Sequence, residues 1–424
     1  MRSLYNAALL PVRAASLVFG AWPRGTPAAE LERDQRMARR LPEFRSSPVW
    51  IHGASVGEAR ISRGLAAEIR KRRPAQVLGA SAVTPTGRAQ LPAPPAVDGA
   101  FFCPLDLPRV QRRAFDALAP AMIVLIETEL WPNLLSEASA RRVPVVLVNA
   151  RLAPERVGRY RFLSALYRPL MSSIDAIGIA GPEEAARFVS LGVPESKLTI
   201  TGNVKFDLPE PAVTAAELSA RLGLDPGRPV VAAGSTGAGE DALVLDAFEQ
   251  ARREVPSLVL LLAPRHPERF AQAEIEARRR GLAVARVSEG PVAGPADVLL
   301  VDTVGELASL YALATSAFVG GSLVRVGGHN LLEPLAAGAP VLFGPHTEHV
   351  TELAAIVTEA GCGERVEDPS ALGRAWVRLA SDRAERNRRA AIGREVLACH
   401  RGALARSVDL VLSVLDRARA SRIG

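Results

Sequence analysis

Three stretches in the first half of the chain set carboxylates and a lysine beside small residues. In His52-Gly53-Ala54-Ser55-Val56-Gly57-Glu58, an apolar run breaks into small residues before a helical pattern. Small residues there permit a tight turn and close approach of a ligand to a helix start. Glu58 falls in the first helical turn, as a general base or as a charge that favours a helix N-terminus. In Glu127-Thr128-Glu129-Leu130-Trp131-Pro132-Asn133, two carboxylates close the apolar run 121–127. Neighbouring carboxylates at a strand end are costly without a cation or a role. They point the same way if the strand continues, and diverge if a helix begins between them. In Thr201-Gly202-Asn203-Val204-Lys205-Phe206-Asp207, the lysine either meets a developing negative charge, lies on the surface, or pairs with Asp207.

The second half is richer in glycine turns. Gly234-Ser235-Thr236-Gly237 stands between a strand and a helix, where backbone N–H groups face a phosphate. Pro264-Arg265-His266-Pro267 ends the next strand, with Arg265 placed to hold an anion or a base edge. Gly320-Gly321-Ser322 follows another strand. Gly327-Gly328-His329-Asn330-Leu331-Leu332-Glu333 joins a flexible backbone to a helix start and a carboxylate suited to ribose hydroxyls. No G-x-G-x-x-G follows the first strand and no Walker A lysine loop occurs, which argues against dehydrogenase and P-loop chemistry. No D-x-D pair, H-x-x-x-H or C-x-x-C is present, which argues against a metal-diphosphate clamp or a zinc site.

The elements that must position these residues alternate strand and helix, twice over. Strands are predicted at 48–53, 76–81, 121–127, 143–150 and 175–180, then at 229–235, 258–264, 297–302, 316–322 and 340–344. Helices are predicted at 57–72, 107–118, 130–141 and 183–191, then at 240–254, 267–280, 305–313, 330–337 and 350–360. Short β-branched runs between helical stretches imply βαβ units and a parallel sheet. The expected fold is α/β: two Rossmann-like domains facing each other across a cleft, with ligands at the carboxyl ends of the strands. A proline-marked linker is placed at 209–228, between domains at 46–208 and 229–424, the last 55 residues being helical and rich in Arg and Ala.

Length and composition agree with two domains: 424 residues, 48% hydrophobic, with aromatics at only 5%. So few aromatics argue against base-stacking nucleic-acid modules. The net charge of +7 is uneven. Residues 1–204 carry 27 basic and 17 acidic side chains, whereas residues 205–424 carry 25 and 28. The first half thus suits an anionic partner, or is simply a solvated basic surface. Residues 1–45 read as an interfacial membrane-binding segment, ahead of a packed helix or a cleaved signal. Arg13 divides the apolar start into runs too short to span a bilayer, and arginines follow.

Taken in order, HGASVGE, TPTG (84–87), CPLDLP (103–108), ETELWPN, NARL (149–152), TGNVKFD, PRHPERF (264–270), DTVGEL (302–307) and GGSLVRVGGHNLLEP (320–334) resemble the 3-deoxy-D-manno-octulosonic acid (Kdo) transferase family. The resemblance spans roughly residues 45–350. It implies a GT-B fold and inverting transfer of Kdo from CMP-Kdo to the lipid A precursor (lipid IVA), in lipopolysaccharide biosynthesis at the cytoplasmic side of the inner membrane. It implies no cofactor, no metal and no nucleic-acid partner, but an anionic membrane surface. By motif, Glu58 matches the proton acceptor, and Glu127 and Lys205 match residues that stabilise the transition state. CMP contacts fall on Pro264 and Arg265, on Val304, Gly305 and Glu306, and on Asn330, Leu331, Leu332 and Glu333. Two places depart from the family pattern: the run Gly237–Asp241, and Leu331, where some members carry proline. A GT-B enzyme using another nucleotide sugar on a lipid acceptor is the alternative, and a non-enzymatic binder of anionic lipid or nucleic acid is a third reading.

Overall fold

The computed structural model describes residues 5–6, 26–152, 157–158, 160–161, 164–207, 213–225, 227–292 and 294–423. The chain divides into two compact units, one of Met1–Asp207 with Arg401–Gly424 and one of Leu208–His400.

The first unit holds a seven-stranded parallel sheet in the order β3-β2-β1-β4-β5-β6-β7. Its strands are β1 (Val49–His52), β2 (Leu78–Ala82), β3 (Gly99–Phe102), β4 (Met122–Ile126), β5 (Val145–Ala150), β6 (Ala176–Ile179) and β7 (Leu198–Ile200). Strands β1, β4 and β5 are buried along their whole length, as befits a parallel sheet covered on both faces. Alternation sends Val49, Ile51, Val124 and Ile126 into one core, and Trp50, Ile123 and Leu125 into the other. The order reverses between β1 and β4, and at such a switch point the loops leaving neighbouring strands part to open a crevice. Helix α1 (Val56–Arg72) leaves β1 there, and α2 (Pro132–Ala140) follows β4.

The second unit repeats the plan in the order β10-β11-β9-β8-β12-β13-β14, again parallel. These are β8 (Val230–Thr236), β9 (Val259–Pro264), β10 (Val284–Arg286), β11 (Val298–Leu300), β12 (Ala314–Val319), β13 (Val341–Phe343) and β14 (Gly363–Arg365). Its switch point lies between β8 and β12, with α3 (Glu240–Glu254) leaving the β8 loop.

Three expectations need correction. The strands β3, β7, β10 and β14 were not foreseen, because they are short edge strands with only partial burial and no long β-branched run. Residues 401–424 do not belong with the second domain. Helix α4 (Ala403–Ile423) buries Val408, Val411 and Leu415 in the core of the first unit, alongside Leu65 and Ile69 of α1. Arg72 at the end of α1 and Arg73 just beyond it pair with Asp409 and Asp416, and Asp207 accepts N–H bonds from Gly402 (2.6 Å) and Leu404. That helix completes the layer over one face of the sheet, which its Arg/Ala composition does not reveal. Residues 26–45 are likewise part of the first unit. Gln35 accepts from Phe102 N–H at 2.8 Å, and Phe44 packs so close to Gly79 that a Cβ there would lie 2.9 Å from its ring. The proposed interfacial helix over residues 1–23 lies outside the described residues, save Tyr5 and Asn6. Tyr5 donates to Asp106 at 2.9 Å and Asn6 accepts from Asn133 at 2.8 Å. Among the described residues no helix is long and apolar enough to cross a membrane.

Candidate active site

Glu58 stands at a helix start, as the second of its readings has it. Ser55 caps α1, and Glu58 reaches back in a capping box. Its Oε2 accepts from Ser55 N–H at 3.0 Å and from Ala54 N–H, while Oε1 has no hydrogen bond among the described residues. Gly53 makes this possible, since a Cβ there would stand 2.7 Å from Glu58 Cβ. Burial raises the Glu58 pKa, and the nearby Glu127 carboxylate adds to the rise against the two backbone bonds. A carboxylate shifted towards neutrality is a better base than an exposed one.

Strand β4 ends at Ile126, and Glu127 turns into the left-handed region with φ +59°. A non-glycine residue held there costs about 1–2 kcal/mol, and such strain gathers at functional sites. The turn directs the Glu127 carboxylate onto Lys205, Nζ to Oε1 at 2.7 Å. The alternative partner of Lys205 is corrected accordingly: Asp207 is occupied at the start of α4 instead. Asn149, also left-handed at φ +52°, accepts from Val204 N–H at 2.9 Å, and Asn203 accepts from Lys205 N–H at 3.0 Å. NARL and TGNVKFD therefore act together to place one lysine. Thr128 ties ETELWPN to the same region by donating to Arg151 O.

Glu129 diverges from Glu127, because the chain turns before α2 begins. Its Oε2 accepts from Trp131 Nε1 at 2.8 Å and lies 3.9 Å from His52 Nε2. Asp106 of CPLDLP holds the start of α2, accepting from Asn133 N–H (3.0 Å) and Leu134 N–H (2.8 Å). These two motifs thus meet in one helix cap, a role that spacing alone did not signal.

In the second unit Pro264 is the last residue of β9, and the other expected contact residues follow the carboxyl ends of β9, β11 and β12. Pro264 is buried and Arg265 exposed, its N–H bonded to Thr236 O at 3.1 Å. Val304 is 77% exposed, an apolar side chain offered to solvent, and Gly305 has φ +94°. Glu306 is engaged by Arg221 at 3.0 Å. Leu331 and Leu332 are buried, so their part in any ligand contact falls to the backbone. Asn330 accepts from Leu332 N–H at 3.2 Å and its amide approaches Glu333 at 3.4 Å. Burial, then the positive field of Arg265, His266 and His349, lowers His329 to about 4. Arg265 and three histidines thus share one neighbourhood, suited to an anion. Tyr311 sits among Glu333, Arg265 and Gly234, where a Cβ would collide with its hydroxyl.

The glycine turns after β8 and β12 are not an open phosphate cradle. Buried Glu240 occupies them itself, Oε2 accepting from Gly237 N–H (2.7 Å) and Gly321 N–H (2.6 Å), Oε1 from Ser322 N–H (3.1 Å) and Leu323 N–H (2.8 Å). The physical reason is that four converging donors at a buried switch point need an anion, and the chain supplies one. The departure at Gly237–Asp241 therefore still carries an acidic role. Among the described residues no group of three or more His, Cys, Asp and Glu side chains is arranged to hold a metal ion.

Residues 31–208 match the family described as 3-Deoxy-D-manno-octulosonic-acid transferase (kdotransferase). The chain is 36% identical over 374 residues to the 3-deoxy-D-manno-octulosonic acid transferase of Haemophilus influenzae, covering 87% of each. It is 36% identical over 408 residues to that of Bordetella pertussis, covering 94% of this chain and 93% of the relative. The solved glycotransferase of kitacinnamycin covers 87% of this chain and 99% of its own at TM-score 0.54 and 18% identity, a likeness of fold.

Proposed function

The chain belongs to the 3-deoxy-D-manno-octulosonic acid transferase family and is a glycosyltransferase of the GT-B fold, and on that premise we propose that it moves Kdo from CMP-Kdo to lipid IVA with inversion, Glu58 acting as general base. The observation that carries this reading is the cluster at the β1/β4 switch point. A buried, pKa-raised Glu58 with one oxygen held and the other available stands near a strained Glu127 that pairs with Lys205.

In the proposed step a hydroxyl oxygen of the acceptor bonds to the anomeric carbon as its proton passes to Glu58. The bond from that carbon to the phosphate oxygen breaks, and CMP departs with the electron pair. Positive charge grows on the sugar ring, and the Glu127 carboxylate offsets it. Lys205 keeps that carboxylate oriented. The CMP phosphate is met by Arg265 and the ribose by Glu333, so the charge is balanced without a divalent cation. The acceptor is anionic and acylated, which suits the basic first half and a place at the cytoplasmic side of the inner membrane, with the apolar start at residues 1–23 as the anchor.

The test is to incubate the purified full chain with CMP-Kdo and tetraacylated lipid IVA and to count added sugars by mass spectrometry. At least one Kdo is expected, with inhibition by CMP and not by UDP. Absence of product, or competition by UDP alone, would mean a different nucleotide sugar.

A further inference from the structure

His52 and Glu129 take no part in the step above, yet they are built into its site. His52 is wholly buried at the end of β1. Its Nδ1 lies 2.9 Å from Ser81 Oγ, which also receives the Trp50 indole N–H at 2.7 Å. Indole only donates, so Ser81 accepts there and its own proton is available to His52 Nδ1. With Ser81 donating to Nδ1, the ring hydrogen stands on Nε2. Nε2 has no hydrogen-bond partner among the described residues and faces Glu129 Oε2 at 3.9 Å. A buried donor without a partner is costly and calls for a cause.

The charges supply one. Glu129 faces Glu58 from α1, Glu127 from the end of β4, His52 from β1 and Cys103 beyond β3. Arg36 and Asp106 stand near Cys103, whose thiol burial keeps protonated. Lys205 is paired with Glu127 and its field also reaches Glu58, whereas the charges acting on Glu129 are the negative ones of Glu58 and Glu127.

We propose that Glu129 is a titrating residue of this site that exchanges no proton with substrate: it retains a proton at neutral pH, so that no second ionised carboxylate forms near Glu58, and His52 Nε2–H is the buried donor that receives Glu129 when it ionises. The proposal rests on the reading of the reaction given above. Burial, then Glu58 and Glu127, push Glu129 up to about 7 against the opposing Trp131 bond, in agreement with the geometry. His52 stays neutral, since burial lowers it to about 4.

The test compares the full chain with Glu129→Gln in two ways: kcat/KM for transfer against pH, and the carboxylic-acid carbonyl band by infrared difference spectroscopy. The amide mimics the protonated acid, so at about pH 6 the variant is expected within about threefold of wild type. Above about pH 7 wild type declines, as a second negative charge forms before anionic substrates, and the variant does not. The wild-type protein is expected to show a protonated carboxyl band that titrates near pH 7 and is missing from the variant. Three results would each overturn the proposal: a loss of about 100-fold at pH 6, which means Glu129 works ionised; identical pH profiles, which mean a merely structural role; or a band unchanged by the substitution. If wild type transfers no Kdo, the reading of the reaction has failed, and the infrared titration alone decides the protonation of Glu129.

Discussion

Replacing Glu127 by glycine separates what the residue does for the reaction from what it does to the fold. The left-handed φ of +59° costs a non-glycine residue about 1–2 kcal/mol, which glycine avoids. Glycine's greater freedom in the unfolded chain takes back about 0.5–1 kcal/mol. The lost ion pair with Lys205 is partly exposed, at 31% and 21% of the two side chains, and is worth less than about 1 kcal/mol. Glu127→Gly is therefore expected to stay within about 1 kcal/mol of wild type in stability, a change of at most about 4 °C in Tm. Glu127→Ala loses the same carboxylate and keeps the strain, so it should be about 1 kcal/mol less stable than the glycine variant, against the usual order of the two residues. Transfer should fall by about 100-fold or more in both. Paired thermal and urea melts with kcat/KM on CMP-Kdo measure this. An alanine variant as stable as the glycine variant, or a glycine variant that retains turnover, would refute the argument that strain is held here for function.

Glu58→Gln should leave stability within about 0.5 kcal/mol, because glutamine also completes a capping box, while turnover drops by about 10²–10⁴-fold; near-normal turnover in the folded variant removes the base assignment. Glu333→Ala should weaken CMP binding by about 1.5–3 kcal/mol, read by calorimetry, if its carboxylate takes a charged hydrogen bond from the ribose. Glu240→Ala leaves four buried N–H groups without an acceptor and should destabilise the second unit by about 3–5 kcal/mol in chemical denaturation, with little loss if water fills the site.

The buried strands were legible because a parallel sheet writes itself as continuous apolar runs: Met122–Ile126 and Val145–Ala150 could be read from residue type alone. The edges were not, since strands such as Gly363–Arg365 owe their pairing to a neighbour rather than to their own composition. The same limit applies to the site. Local spacing singled out Glu58, Glu127 and Lys205, but gave the lysine a developing negative charge, the surface or Asp207, and not Glu127. The choice follows from Asn149 and the turn at Glu127, which bring the ends of β4 and β5 to the loop beyond β7. Glu240 shows the converse. Its loops have the glycines of a phosphate cradle, and only the fold reveals that a carboxylate 81 residues from Gly321 already fills it. His52 gave no signal at all, being the last residue of an apolar run whose partner on Ser81 comes from the next strand.

The return of α4 to the first unit makes the second unit, in chain terms, an insertion within the first. A ribosome therefore releases everything needed for the Leu208–His400 sheet before it delivers the helix that covers the other one. At about 5–20 residues per second, the sheet carrying Glu58 and Glu127 waits roughly 10–40 s with one face lacking that layer. Val408, Val411 and Leu415 arrive after the whole second unit, so a truncation that spares Glu58, Glu127 and Lys205 would still leave apolar surface open on the first unit. Nascent chains stalled just before Ala403 should bind hydrophobic-surface chaperones through their N-terminal half, and release them once α4 has cleared the exit tunnel.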